Sequence, residues 1–216
     1  MQRTLYGYFR SSAAFRIRIA LNLKALAVDH VAVNLMPGVD GQHSAEYRHL
    51  NPQGRVPFYS EDDFQLAQSP AILEYLEDCY PDVALLPADP REKAYVRQLS
   101  ALIACDVHPL NNLSVLTYIK AEFGADKSAV KKWYAHWIGA GFTALEAMIG
   151  QKGATGRYSF GDEVTLADVY LVPQLYNARR FSVPLDKYPR LRAIDETCMA
   201  LPAFQAALPE KQPDAV

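Results

Sequence analysis

The 216-residue sequence has no block of like charge: 22 lysines and arginines are interspersed with 24 aspartates and glutamates, for a formal charge of −2. That balance argues against a nucleic-acid footprint and a basic membrane face, leaving small molecules or a second copy of the chain as expected partners. No apolar run approaches the length of a bilayer span. Met1 to Thr4 lead directly into a strand-like segment, without a charged region and apolar stretch of the leader type, so a soluble, cytoplasmic protein is expected. Cysteine is scarce. Cys79, Cys105 and Cys198 are odd in number and widely spaced, which disfavours both a disulfide framework and a zinc site; they are read as buried thiols, and no metal is expected. Internal repeats, heptads and low-complexity tracts are also absent, so neither a solenoid nor a coiled coil is in view. What the chain does have is 50% hydrophobic residues, ample for a buried core in one domain or two small ones.

The hydrophobic pattern changes along the chain. Residues 3 to 9 read as a strand, 12 to 25 repeat apolar residues at near-helical spacing, and 28 to 35 are rich in β-branched residues. Together they make a βαβ unit with a parallel strand pair. A loop with Pro37, Gly38 and Gly41 follows, then a helical turn near 44 to 50 and the segment NPQGRVPFYS. Residues 56 to 60 and 63 to 67 suit a hairpin, and 69 to 79 a helix with a serine cap and Pro70 at its first position. The order is βαβαββα. Three prolines between 80 and 90 mark a connecting segment, after which every signal is helical: 91 to 121, 127 to 150, 166 to 179, 189 to 199 and a short piece at 202 to 208. Thr165, three residues before Asp168, predicts a capping box.

Several polar residues stand where a ligand could use them. In RSSAAFRIRIALNLK, residues 10 to 24, two serines open a helix whose unpaired N–H groups and positive dipole end suit either a plain cap or an anion, a thiolate included. Pro57 falls between a loop and a strand. There a trans bond is favoured by numbers, since only about 5% of X-Pro bonds are cis, and a cis Val56-Pro57 bond is the alternative. Gln68 and Ser69 bring an amide and a hydroxyl to another helix start, a setting for a carboxylate or an ordinary cap. Arg16 and Arg18, two apart, point to different faces and are read as structural salt-bridge residues; Arg179 is read as solvated.

The element order, the serine at the first helix start, VP before the third strand, QS at the third helix start and the helical second half resemble the cytosolic glutathione transferases. RSSAAFRIRIALNLK is similar to the zeta-class signature, usually Ser-Ser-Cys followed two residues later by Arg-x-Arg-Ile-Ala-Leu. DVHPLNN at 106 to 112, YSFGDEVTLADVYLVPQ at 158 to 174 and NARRF at 177 to 181 resemble the maleylacetoacetate and maleylpyruvate isomerases of that class. The resemblance implies an α/β fold: a thioredoxin-like, glutathione-binding domain over residues 1–83 and an all-α domain over 91–216 that contributes an acidic-substrate site. It implies a glutathione-dependent cis-trans isomerase, acting on maleylacetoacetate or, as the alternative, on maleylpyruvate or as a general transferase for haloacids. It also implies a homodimer. Ser11 becomes the donor to the glutathione thiolate, with Ser12 supporting it or capping the helix. Val56 offers its main chain to the cysteinyl part, Gln68 and Ser69 take the γ-glutamyl carboxylate, and Gln53, His108, Asn112 and Asn111 reach the tripeptide or line the site. Arg10 and Arg180 clamp an acidic substrate, because arginine keeps its charge at any working pH. Ala13 stands where the signature usually has cysteine, so no protein thiol at that position can act as nucleophile.

The thiol's chemistry sets the size of the task. A free thiol has a pKa of about 8.5, and lowering it by about two units needs roughly 2.7 kcal/mol of preference for the anion. A hydrogen bond to a charged group contributes about 1.5 to 3 kcal/mol and a helix N-terminus about 0.3 to 1 kcal/mol. One hydroxyl at a helix start meets the requirement.

Overall fold

The computed structural model describes residues 1–151 and 156–215. Contacts divide the chain into two units, one comprising Met1–Ala84 and the residues from Ala200 onward, the other Leu85–Met199.

The first unit runs β1 (Arg3–Gly7), α1 (Ser12–Leu23), β2 (Asp29–Ala32), α2 (Ala45–Leu50), β3 (Phe58–Glu61), β4 (Phe64–Ala67) and α3 (Ser69–Cys79). This is the order expected from the sequence. The sheet is ordered β2-β1-β3-β4, with β1 parallel to β2 and the hairpin strand β3 antiparallel to both β1 and β4. β1 stops at Gly7 rather than continuing to Phe9, because the Ser11 N–H turns back to the Tyr8 carbonyl at 2.9 Å and closes a turn into α1. Ser12 to Leu21 of α1 are all buried, Ile17, Ile19 and Ala20 fully so, as befits a helix covered on every side. It packs on α3, whose Ile72, Leu73 and Leu76 are buried, and on α9 (Pro202–Ala206) from the chain's end. Lys24, just past α1, is buried with its ammonium on Glu77 at 2.9 Å and on the Tyr80 and Val83 carbonyls at 2.8 and 2.7 Å. The end of α1 is thus fastened to the end of α3 and the segment after it.

The second unit holds α4 (Pro90–Ala101), α5 (Leu113–Phe123), α6 (Lys127–Gln151), α7 (Leu166–Arg180) and α8 (Pro189–Met199). The single helix expected over 91–121 is instead interrupted. A π-helical turn, Leu102–Val107, and a 3-10 turn, Pro109–Asn111, separate α4 from α5. Pro109 lacks an N–H, and Asn112 accepts from the Ser114 N–H at 3.0 Å, capping a new helix. Gly141 of α6 makes the π turn possible: a Cβ there would stand 2.2 Å from Val107 Cγ2. At the start of α7 the expected capping box forms. Asp168, fully buried, accepts from the Thr165 N–H at 2.8 Å and the Ser159 N–H at 2.7 Å.

Two expectations about cysteine and caps need correction. Cys79 and Cys105 are exposed, and Cys198 alone of the three is buried, because Cys79 ends α3 and Cys105 faces outward on the π turn. The cap residue of α3 is Gln68, not serine, and its side chain makes no capping hydrogen bond.

Candidate active site

Ser11 is the N-cap of α1. Its Oγ accepts from the Ala14 N–H at 3.2 Å, and its carbonyl from the Phe15 N–H at 2.8 Å. A hydroxyl that accepts a hydrogen bond still has its own proton to give, and accepting polarises the O–H further. Capping the helix and donating to an anion are therefore compatible roles for one residue. Ser12, the first residue inside the helix, is buried. Arg10 lays its guanidinium over the Phe9 ring at 4.6 Å and has no carboxylate partner among the described residues.

The segment ahead of β3 is held in place from below. The Val56-Pro57 bond is cis. Next to it, the Arg55 carbonyl accepts from the Tyr47 hydroxyl and the Asn51 Nδ2, each at 2.7 Å. Tyr47 sits in a cluster with Val33 and Phe58, against which Val56 packs, and burial pushes its hydroxyl pKa up to about 12, so it remains a donor. The main-chain N–H and carbonyl of Val56 enter no hydrogen bond among the described residues. Gly54, at φ +62°, brings the backbone where a Cβ would lie 2.9 Å from the Gln42 carbonyl. Tyr47 and Asn51 were not singled out from the sequence. The signal for Asn51 was its place at the C-cap of α2.

At the start of α3 the expected residues meet. Gln68 is held at φ +71°, a left-handed conformation uncommon for a residue with a side chain and one that concentrates at functional sites. Its Nε2 donates to Gln53 Oε1 at 2.5 Å. Ser69 is buried, and its Oγ accepts from Arg16 Nη1 at 3.2 Å, leaving the hydroxyl proton for a ligand. Arg16, 1% exposed, therefore places a cation behind an uncapped helix N-terminus, an arrangement that favours an anion. Arg18 donates to main-chain carbonyls, those of Ala207 and Phe9.

In the helical unit, His108 follows the π turn, with its N–H on the Ile103 carbonyl at 2.9 Å. Asn112 is occupied as the cap of α5, also taking the Ser114 hydroxyl at 2.8 Å. Asn111 is buried, and neither polar atom of its side chain has a partner among the described residues. An amide left so costs about 1 to 3 kcal/mol, which favours Asn111 over Asn112 as a ligand contact. Arg180 is exposed at the end of α7, over the Phe181 ring at 5.3 Å, and makes no ion pair among the described residues. Arg179 is not simply solvated. It pairs with Asp195, whose carboxylate is buried, and so has the structural role.

A family model described as the glutathione S-transferase N-terminal domain matches residues 5–84, and one for the C-terminal domain of the same family matches residues 131–194. The chain is 48% identical to a maleylacetoacetate isomerase of Pseudomonas aeruginosa over 97% of each chain. The holo structure of a maleyl pyruvate isomerase, titled a bacterial glutathione S-transferase in the zeta class, is 47% identical, with a TM-score of 0.96 over 99% of this chain and 100% of that one. The chain belongs to the zeta class of the glutathione S-transferases. A maleylacetoacetate isomerase from Methylobacterium extorquens with bound malonate and glutathione matches with a TM-score of 0.95 and 37% identity, over 99% of both chains. Each of these matches spans essentially the whole chain. Among the described residues no helix of this zeta-class chain is long and apolar enough to cross a membrane.

Proposed function

We propose that the protein is a glutathione-dependent cis-trans isomerase of an acidic cis-dicarbonyl compound, maleylacetoacetate. The observation that carries the reading is the state of Ser11: its oxygen caps α1 while its proton is left to donate. Glutathione fits the polar groups present. The uncapped start of α3, with Ser69 backed by Arg16 and the Gln53–Gln68 amide pair, suits its γ-glutamyl carboxylate. The unpaired main chain of Val56 suits its cysteinyl peptide groups. When bound, glutathione supplies a thiolate that adds to the conjugated cis double bond, allows rotation about the resulting single bond, and leaves unchanged.

The protein's own residues do the rest. The Ser11 hydroxyl and the α1 N-terminus hold the sulfur as its anion. Arg10 and Arg180, each without a carboxylate partner among the described residues, bind the substrate's carboxylates and favour negative charge on its carbonyl oxygen. Ser12 supports Ser11, and His108, Asn111 and Asn112 line the site. In this reading residues 1–83 bind glutathione, residues 91–216 bring the acidic-substrate contacts, and the protein works as a cytoplasmic homodimer.

Maleylpyruvate is the second reading, favoured by the near-equal identity to relatives named for either substrate. Incubation with maleylacetoacetate or maleylpyruvate, with and without glutathione, tests the proposal. The trans isomer is expected to form only when glutathione is present. Formation at the same rate without it rejects the reading.

A further inference from the structure

The loop that carries Arg10 and Ser11 is tied through both polar groups of the residue before them. The Phe9 N–H donates to Asp214 Oδ2 at 2.9 Å, and the Phe9 carbonyl accepts from Arg18 Nη2 at 3.0 Å. Arg18, 4% exposed, also donates through Nε to the Ala207 carbonyl at 3.0 Å. Both ties lead to the end of the chain. That end is wound on itself: Gln212 Nε2 donates to the Ala206 and Leu208 carbonyls at 3.0 and 2.8 Å, and the Ala215 N–H to the Gln212 carbonyl at 3.0 Å. Beside the tie lies a cavity of about 150 Å³, lined by Tyr8, Arg18, His30, Gln212 and Asp214 among others. A carboxylate 205 residues away in sequence restrains the Phe9 peptide.

We propose that Asp214 is a positioning residue for the site, holding the Phe9 peptide so that the Ser11 hydroxyl is aimed at the glutathione sulfur. The inference rests on Ser11 as the partner of that sulfur. A displacement of about 1 Å in a reacting group can cost roughly 10²-fold in rate, so an anchor two residues from the hydroxyl is a place where geometry is set. Asp214 acts through its oxygen as an acceptor. Its charge would act the opposite way: removing a nearby carboxylate makes a thiol ionise more readily, whereas letting the hydroxyl drift makes it ionise less readily.

That difference of sign supplies the test. Glutathione bound to the full-length protein is titrated by the ultraviolet absorbance of its thiolate in wild type, Asp214→Ala, Asp214→Asn, Gln212→Ala and Ser11→Ala, with folding checked by circular dichroism. Asp214→Ala is expected to move the thiol's ionisation up by about one pH unit and to lower kcat about tenfold. Asp214→Asn, which keeps an acceptor oxygen, is expected to stay at the wild-type value, and Gln212→Ala, which loosens the segment carrying Asp214 but leaves its carboxylate, to shift upward by no more than Asp214→Ala. An unmoved or downward-moved ionisation in Asp214→Ala overturns the inference, provided Ser11→Ala moves upward. If Asp214→Ala fails to fold, Asp214→Ser, whose hydroxyl is too short to keep the bond to the Phe9 N–H, takes its place: an upward shift upholds the acceptor role, and an unmoved or downward-moved ionisation overturns it. Should Ser11→Ala itself be unmoved, the assignment of Ser11 falls and this inference with it.

Discussion

Ser11 gives its oxygen to Ala14 and keeps its proton, and that division governs what a mutation there does. Replacing it with alanine costs α1 its cap, about 1 kcal/mol of stability, and, in the proposed function, costs the bound thiolate its donor. Removing one such donor to a catalytic anion costs on the order of 10² to 10³ in kcat. Ser11→Ala is expected to lose that much at neutral pH and less above about pH 8.5, where a thiol ionises unaided; a pH profile of kcat/KM checks it. A uniform loss at every pH would point away from thiolate stabilisation. In the proposed function Arg180 serves the other substrate. Arg180→Ala is expected to raise KM for the dicarboxylate about 10-fold or more, the loss of one charge-assisted hydrogen bond, while KM for glutathione stays within about twofold. Initial-rate kinetics with each substrate varied in turn separate the two. The placement of Ser11, Gln68 and Ser69 at helix starts was legible in the sequence, because short polar side chains and Pro70 mark such starts. The choice between Asn111 and Asn112 was not. It depends on which side chain is buried without a partner and which is consumed as a cap, and both are facts of packing. Arg16 was read as a salt-bridge residue, and its bond to Ser69 across 53 residues is equally a product of tertiary structure.

At the scale of elements, local signals carried far where they were chemical. The range 69 to 79 predicted for a helix is the range of α3, and Thr165 with Asp168 announced the start of α7. The failure at 91–121 is of another kind. Pro109 and Asn112 mark the restart of the helix, but no residue type marks the change from α to π hydrogen bonding before them, where Gly141 of α6 leaves room for Val107. The capping box itself is open to test. Asp168→Ala leaves the buried Ser159 and Thr165 N–H groups without an acceptor, at about 1 to 3 kcal/mol each. A loss of about 3 kcal/mol in stability from the urea midpoint is expected, against less than about 0.5 kcal/mol if the box were ornamental.

Across the whole molecule, the sheet and α3 share one charged network with a pH signature. Glu61, buried on β3, receives Arg3 Nε at 2.8 Å, the Tyr75 hydroxyl at 2.7 Å and the Tyr80 hydroxyl. Burial alone would raise its pKa, but the hydrogen bonds from Tyr80 and Tyr75 and the charge of Arg3 hold it below the ordinary value of 4.5. A carboxylate with a lowered folded pKa contributes stability that is complete above the unfolded value and lost as pH falls through the folded one. Glu61→Gln is therefore expected to be less stable than wild type at neutral pH and to converge with it as acid carries the pH below the ordinary value of 4.5 and through the lowered folded one. Denaturation curves at several pH values read this directly, and a constant gap between the two proteins would contradict it.

Glutathione returning unchanged from each turnover is what separates an isomerase from a transferase, since the same thiolate on the same fold would serve a transferase if the adduct were released. The deciding measurement supplies glutathione at a small fraction of the maleylacetoacetate concentration and follows both the trans isomer and the remaining free thiol to the end of the reaction. Complete conversion with the thiol undiminished is the result predicted. Conversion that stops once the glutathione is used up, with a thioether in its place, would contradict it.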